Sequence, residues 1–247
     1  MHPLNKFLAR FGIAVHRHRP IDAGFRRQYH ANLRVIESTP IPFQLVKDIT
    51  CDVGDHPATY KEYECGFAAS CLAGRPPASL LDIGSYSDFV LGLSAAYQVN
   101  SLDFREAPKL NQNQTVVVGD AKALRFPDDY FDAIISLSSI EHFGLGRYGD
   151  EFDLAADTKA LNEMKRCLKP GGQLIFSTTL TAGPPCLVYN WHRIYSYPML
   201  KALCAPLKCV KEVFYSHRLN RYCDFQSISA ELAVWDVYCG CWTKVST

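Results

Sequence analysis

Residues 80–85 read Leu80-Leu81-Asp82-Ile83-Gly84-Ser85, a short apolar run that ends in a glycine and a small polar residue. Phe89, Leu91 and Leu93 follow, which predicts a packed helix after a tight strand-to-helix turn. Such a turn brings backbone N–H groups and a helix N-terminus to a ligand. The full G-x-G-x-x-G pattern is absent, because Tyr86 and Ser87 stand where further glycines would let the backbone approach a pyrophosphate. That argues against a dinucleotide in this turn.

Working outward, short apolar runs alternate with helical stretches. The predicted strands are Ser79–Gly84, Val99–Phe104, Thr115–Asp120, Phe131–Ser139 and Gln173–Leu180, rich in Leu, Ile and Val. That pattern is the signature of a parallel sheet buried on both faces and joined by crossover helices. Before the fifth strand, Leu161, Met164 and Leu168 fall on one helical face while Lys159, Glu163 and Lys165 fall elsewhere. Pro170-Gly171-Gly172 then ends that helix. Val210–Tyr215 and Ile228–Tyr238, joined by the polar stretch His217–Asn220, are expected to form an antiparallel edge. Residues 1–75 are irregular, divided by Pro40, Pro42 and Pro57 and closed by Arg75-Pro76-Pro77. They are read as an N-terminal helical extension, and 76–247 as the α/β domain.

The strand ends carry the ligand chemistry. Nineteen residues after Gly84 comes Asp103, where a carboxylate can accept hydrogen bonds from both hydroxyls of a ribose. Asp120-Ala121, at the next strand end, suits an adenine edge: Asp accepts from the exocyclic amine and Ala leaves room for the ring. S-adenosylmethionine has both groups and no pyrophosphate, so the bulkier turn at Ser85 and Tyr86 can sit beside its amino-acid part. The cofactor-binding candidates are therefore Asp82, Gly84, Ser85, Asp103, Asp120, Ala121 and Ser138.

The series LDIGS, SLDF, VVVGDA, LRFPDDYFDAIIS and EMKRCLKPGGQLIFS resembles the class I S-adenosylmethionine-dependent methyltransferase superfamily over roughly Ser79–Leu180. The resemblance implies a Rossmann-like fold, a mostly parallel seven-stranded sheet with an antiparallel C-terminal edge. More narrowly, SLSSIEHFGLGRYGD with YNWHRIY downstream resembles a sparsely characterised branch, some members of which are associated with polysaccharide and glycan genes. Ser85 and Tyr86 depart from the superfamily's glycine-rich first motif.

In an open α/β sheet the acceptor of the methyl group should face the segments after strands four and five. Both are polar. The first holds Ser138, Ser139, Glu141, His142, Arg147, Tyr148 and Asp150 among Gly144, Gly146 and Gly149. The second holds Tyr189, Asn190, Trp191, His192, Arg193 and Tyr195. Methyl transfer to a hydroxyl needs alignment and a proton acceptor. His142 and His192 are the candidate bases, with Glu141 as an orienting group or a base. Arg147, Tyr148, Asp150, Asn190 and Arg193 are the acceptor-binding candidates, the arginines for a carboxylate or phosphate. The structural alternative is that Glu141 and His142 cap a helix and that Arg147 pairs with Asp150 to hold the loop.

The totals restrict partners. The formal net charge is +1, from 26 Lys and Arg against 25 Asp and Glu, so no global field gathers nucleic acid. No Asn-Pro-Pro-aromatic tetrad follows strand four either. A small-molecule or glycan acceptor is the better expectation. Ten cysteines with no cleavable signal before them suggest reduced thiols in the cytoplasm, and none shows zinc-ligand spacing, so no metal is expected. No apolar run approaches the roughly 20 residues of a membrane span. The basic N-terminus, with Leu4, Phe7, Leu8 and Phe11 at helical spacing, leaves peripheral membrane contact and packing on a protein both open. The competing expectations are a catalytically inactive methyltransferase-like binding module and, more weakly, nicotinamide chemistry. No signal of oligomeric state is present.

Overall fold

The structure is a computed structural model that describes residues 23–40, 45, 58–73, 76–189 and 191–245. It divides into two units, Met1–Pro57 and Ala58–Thr247. In the first unit, α1 (Ala23–Glu37) ends where the Ser38 and Thr39 hydroxyls donate to the Val35 carbonyl at 3.0 and 2.7 Å. The basic stripe around Leu4 to Phe11 lies outside the described residues.

The second unit is built on β1 (Leu80–Ile83), all four residues of which are buried. It pairs in parallel with β2 (Val99–Asp103) on one side and β4 (Phe131–Leu137) on the other. β3 (Gln114–Val118) extends the sheet beyond β2, and β5 (Leu168–Thr181) extends it beyond β4. The chain order reverses between β1 and β4, and that reversal opens a crevice at the carboxyl ends of these strands. The full order is β3-β2-β1-β4-β5-β10-β8-β9, with β8 (Lys208–Ser216), β9 (Arg221–Cys223) and β10 (Asp236–Thr243) antiparallel. This is the mixed α/β architecture expected of a class I methyltransferase fold, and three further short strands, β9 among them, join its seven principal ones.

Adjacent residues of the central strands enter opposite cores, as period-two side chains must. Ile134, Leu174 and Phe176 pack with Met164 of α4 (Ala156–Cys167). Ile135 and Ile175 pack with Phe67 and Leu72 of α2 (Tyr60–Ala73), and with Val90 of α3 (Ser87–Leu93). The 75/76 boundary read from the sequence therefore falls inside this unit, after α2. The prolines at 76 and 77 come after a helix that already belongs to the sheet's packing.

Three segments differ from the sequence reading. Leu168 and Pro170-Gly171-Gly172, read as the end of a helix, lie within β5, because α4 ends at Cys167. The last strand is Asp236–Thr243 and not Ile228–Tyr238. Gly240 looks like a strand breaker, yet a Cβ there would run into the Tyr238 hydroxyl and lie 2.6 Å from the Trp242 indole nitrogen, so the strand needs the glycine. Within YNWHRIY, to which the sequence reading gave no element, residues from His192 onward form a strand. β6 (Cys186–Val188) pairs with β7 (His192–Ser196), and β7 adds in parallel to the end of β5. After β7 comes α5 (Tyr197–Cys204).

Candidate active site

At the carboxyl ends of β1, β2 and β3 lies a cavity of about 140 Å³. Gly84 closes β1 with φ +67°, a conformation that favours glycine, and a Cβ there would sit 2.7 Å from the Ser139 hydroxyl. Its N–H donates to the Leu102 carbonyl at 3.1 Å, which stitches the turn to β2. The Ser85 hydroxyl accepts from the Leu137 N–H at 3.0 Å. Asp82 does not line the cavity. Its carboxyl is buried, with Oδ1 unpartnered among the described residues, and burial pushes it up to about 7 against hydrogen bonds from Ser85.

Asp103 and Asp120-Ala121 both reach the cavity. The Arg105 guanidinium donates to both oxygens of Asp103, at 3.0 and 3.1 Å, and the Arg105 amide adds a third bond at 2.9 Å. Burial raises the Asp103 carboxyl, but the Arg105 bonds outweigh it and hold the group below its ordinary range. A carboxylate has about four lone-pair sites, so with these three bonds made about one remains, on Oδ2, for a ribose hydroxyl. Asp120 accepts from the Lys122 amide at 2.8 Å and lies 3.5 Å from the Lys122 ammonium. Ser138 also lines the cavity, but its φ of +46° turns the hydroxyl inward. There it donates to Glu64 Oε2 at 2.6 Å.

The farther wall carries His142, Tyr148 and Asp150. His142 Nδ1 lies 2.6 Å from the Trp191 carbonyl oxygen, which can only accept. Nδ1 therefore carries the proton and Nε2 keeps its lone pair. Burial, partly offset by that bond, moves His142 below its ordinary value, as do the Arg147 and Lys61 charges, so the ring is neutral at neutral pH. Arg147 Nη1, 3.4 Å from the same Nδ1, faces a donor and makes no hydrogen bond there. Asp150 folds the glycine-rich loop: its oxygens accept from the Gly144 N–H at 2.7 Å and the Tyr148 N–H at 3.2 Å. The Arg147–Asp150 pair is not formed among the described residues.

Glu141, His192 and Arg193 stand behind this wall. Glu141 is 2% exposed, accepts from Thr178 Oγ1 at 3.0 Å, and lies 3.9 Å from His142 Nε2, beyond hydrogen-bond reach. Burial raises its carboxyl to about 7. His192, also 2% exposed, stacks on Trp191 at 4.3 Å and meets Trp235 at 5.6 Å. Its Nε2 has no partner among the described residues, and burial lowers the ring to about 4. Arg193 donates to the carbonyls of Phe143 and Leu154 at 2.7 and 3.0 Å and faces Asp157 at 3.4 Å, so its donors tie the wall to α4. Asn190 lies outside the described residues. Glu141, His142, Asp150 and His192 do not gather as metal ligands, and no group of three or more such side chains exists among the described residues.

The raised Glu141 carboxyl predicts a pH dependence of stability. With 4.5 as the unfolded value and about 7 in the fold, the folded chain binds the extra proton between those values. Stability contributed by the protonated group is complete below pH 4.5 and declines as pH rises to 7. The loss is about 3 kcal/mol at 1.36 kcal/mol per unit. Urea titrations across that range should show the decline, and Glu141→Gln should remove this part of it while Asp82 keeps its own. An unchanged slope in Glu141→Gln would contradict the assignment.

Sequence reasoning missed α2's contribution. Glu64 is fully buried and accepts from Ser138 and Ser177 hydroxyls at 2.6 and 2.5 Å and from Lys61 Nζ at 2.8 Å. An acid spaced with Phe67, Ala68, Cys71 and Leu72 on one apolar helical face was a readable sign of a buried partner. Tyr60, His217, Trp235 and His192 form a further chain of ring contacts, 4.3 to 5.6 Å apart, from α2 to β7.

A family model described as "Caenorhabditis protein of unknown function, DUF268" matches residues 97–232, more than half of the chain. The chain is 36% identical over 86 residues to the ubiquinone/menaquinone biosynthesis C-methyltransferase UbiE of Bordetella avium (strain 197N). That match covers 34% of this chain and 29% of the relative's length. Among solved structures, the [4+2]-cyclase SpnF superposes with a TM-score of 0.57 at 15% identity, over 79% of this chain and 86% of that one. The Burkholderia thailandensis 1,6-didemethyltoxoflavin-N1-methyltransferase, solved with 1,6-didemethyltoxoflavin and S-adenosylhomocysteine, gives 0.56 at 17%, over 93% of each chain. At such identities these structures share the fold with this chain.

Proposed function

We propose that this chain, which belongs to the DUF268 family, is an S-adenosylmethionine-dependent methyltransferase acting on an oxygen of a small-molecule or glycan-linked acceptor. One observation carries the reading. Gly84, Asp103 and Asp120-Ala121 leave three successive strands and meet in one cavity, whose opposite wall is a neutral histidine. The residues fit the cofactor: Asp103 retains a lone pair for a ribose hydroxyl, and Ala121 leaves space for adenine. When bound, the cofactor supplies an electrophilic methyl on a sulfonium. His142 then holds an unprotonated Nε2 at the cavity wall to accept the acceptor's hydroxyl proton. Glu141 and His192 support that wall from behind, and Arg193 braces it. Nine cysteines among the described residues are free, which suits a cytoplasmic setting.

Isothermal titration with S-adenosylmethionine and S-adenosylhomocysteine tests the cofactor. Asp103→Ala is expected to weaken both by about 2 to 3 kcal/mol, roughly 30- to 150-fold, through loss of charge-assisted hydrogen bonds. Folded wild-type protein that binds neither would favour a second reading, a non-catalytic module of the same fold. That reading has its own support, because Arg105 already engages both oxygens of Asp103.

A further inference from the structure

We propose that the acceptor carries an anionic group, a carboxylate or a phosphate ester, and that Arg147 captures it beside His142. This rests on the reading of the cavity as a methyltransferase site. The two cations that line the cavity have acidic partners: Arg105 meets Asp103 at 3.0 Å, and Lys122 meets Asp120 at 3.5 Å and Asp153 at 3.7 Å. Lys61 and Arg193, behind it, meet Glu64 at 2.8 Å and Asp157 at 3.4 Å. Arg147, exposed next to the lining residue Tyr148, has no acidic partner among the described residues.

Its surroundings sharpen the point. The Arg147 guanidinium lies 5.1 Å from the Tyr148 ring centre, and Arg105 lies 5.0 Å from that same centre. The tyrosine thus spaces a paired arginine from an unpaired one, with cation–π contact to each. Arg147 Nη1 comes within 3.4 Å of His142 Nδ1, whose proton goes to the Trp191 carbonyl at 2.6 Å, so the guanidinium finds no acceptor on that ring nitrogen. An oxyanion beside the guanidinium fork supplies the acceptor that Arg147 lacks. Because His142 and His192 are both neutral at neutral pH, they do not share in holding that charge. Arg147 is then the residue that selects an acidic acceptor over a neutral one.

The test uses the full chain, with and without saturating S-adenosylhomocysteine, and follows the His142 ring proton by NMR, assigned with His142→Gln. Glucuronate, glucose 6-phosphate and glucose are titrated in parallel, so that the two acidic arms separate carboxylate from phosphate. At least one acidic sugar should saturate at a roughly tenfold lower concentration than glucose, the value of one charge-assisted contact. Arg147→Gln should bring it to the level of glucose, and Arg147→Lys, which keeps the charge without the fork, should fall between. Equal behaviour of acidic and neutral sugars, a preference that survives Arg147→Gln, or no response to either acid at tens of millimolar overturns the inference. S-adenosylhomocysteine binding without an anion preference overturns this inference alone. Absence of that binding overturns the cofactor reading, and the acceptor role with it.

Discussion

Replacing His142 with alanine should lower methyl transfer by roughly two to four orders of magnitude, the usual contribution of a positioned general base, while S-adenosylmethionine binds as before. The expectation follows from the tautomer. The Trp191 carbonyl fixes the proton on Nδ1, and the nearest carboxyl oxygen to Nε2, on Glu141, is too distant to engage it. Of the three base candidates, His142 alone lines the cavity. Its lowered basicity also predicts a rate that rises with pH through a value below 6.5 and then levels, since the protonated ring cannot accept. Single-turnover kinetics across pH read both effects. A variant that loses cofactor affinity and turnover in equal measure would make His142 a structural residue instead.

The second large effect belongs to Glu64. Glu64→Ala should destabilise the fold by about 4 kcal/mol, as removal of one partner from a buried ionic network does. It leaves the buried Ser177 hydroxyl and the half-buried Ser138 hydroxyl without their acceptor and removes the carboxylate from Lys61 Nζ. Glu64→Gln keeps a carbonyl oxygen for the hydroxyls and loses the charge, so its cost should be about half as large. Urea unfolding followed by tryptophan fluorescence measures both. A loss under about 1 kcal/mol in the alanine variant would show that water replaces the carboxylate without penalty.

The parallel half of the sheet was legible because buried strands that end in Gly, Ser or Asp leave a double signal, apolar runs and functional termini. Asp103 and Asp120 were found by that logic and do reach one cavity. Other features were hidden by physics that acts only in three dimensions. Gly240 reads as a breaker until the Tyr238 and Trp242 side chains above it are known. Arg193 reads as a free cation until backbone carbonyls of Phe143 and Leu154, 50 and 39 residues away, are found on it. Arg105 follows Asp103 by two residues, a spacing from which their pairing was predictable. Glu64 precedes the 75/76 boundary that the prolines suggest, although its place on an apolar helical face already requires a buried partner.

β10 lies between β5 and β8 in the sheet but follows both in the chain. A ribosome therefore delivers the wedge after the two halves it must join. Until residues 236–243 emerge, the growing chain carries β5 with an open edge, fourteen residues long in the finished fold, and a β8–β9 hairpin that lacks its partner in the sheet. Biosynthesis of this protein thus passes through an interval in which its longest strand is most available to another chain.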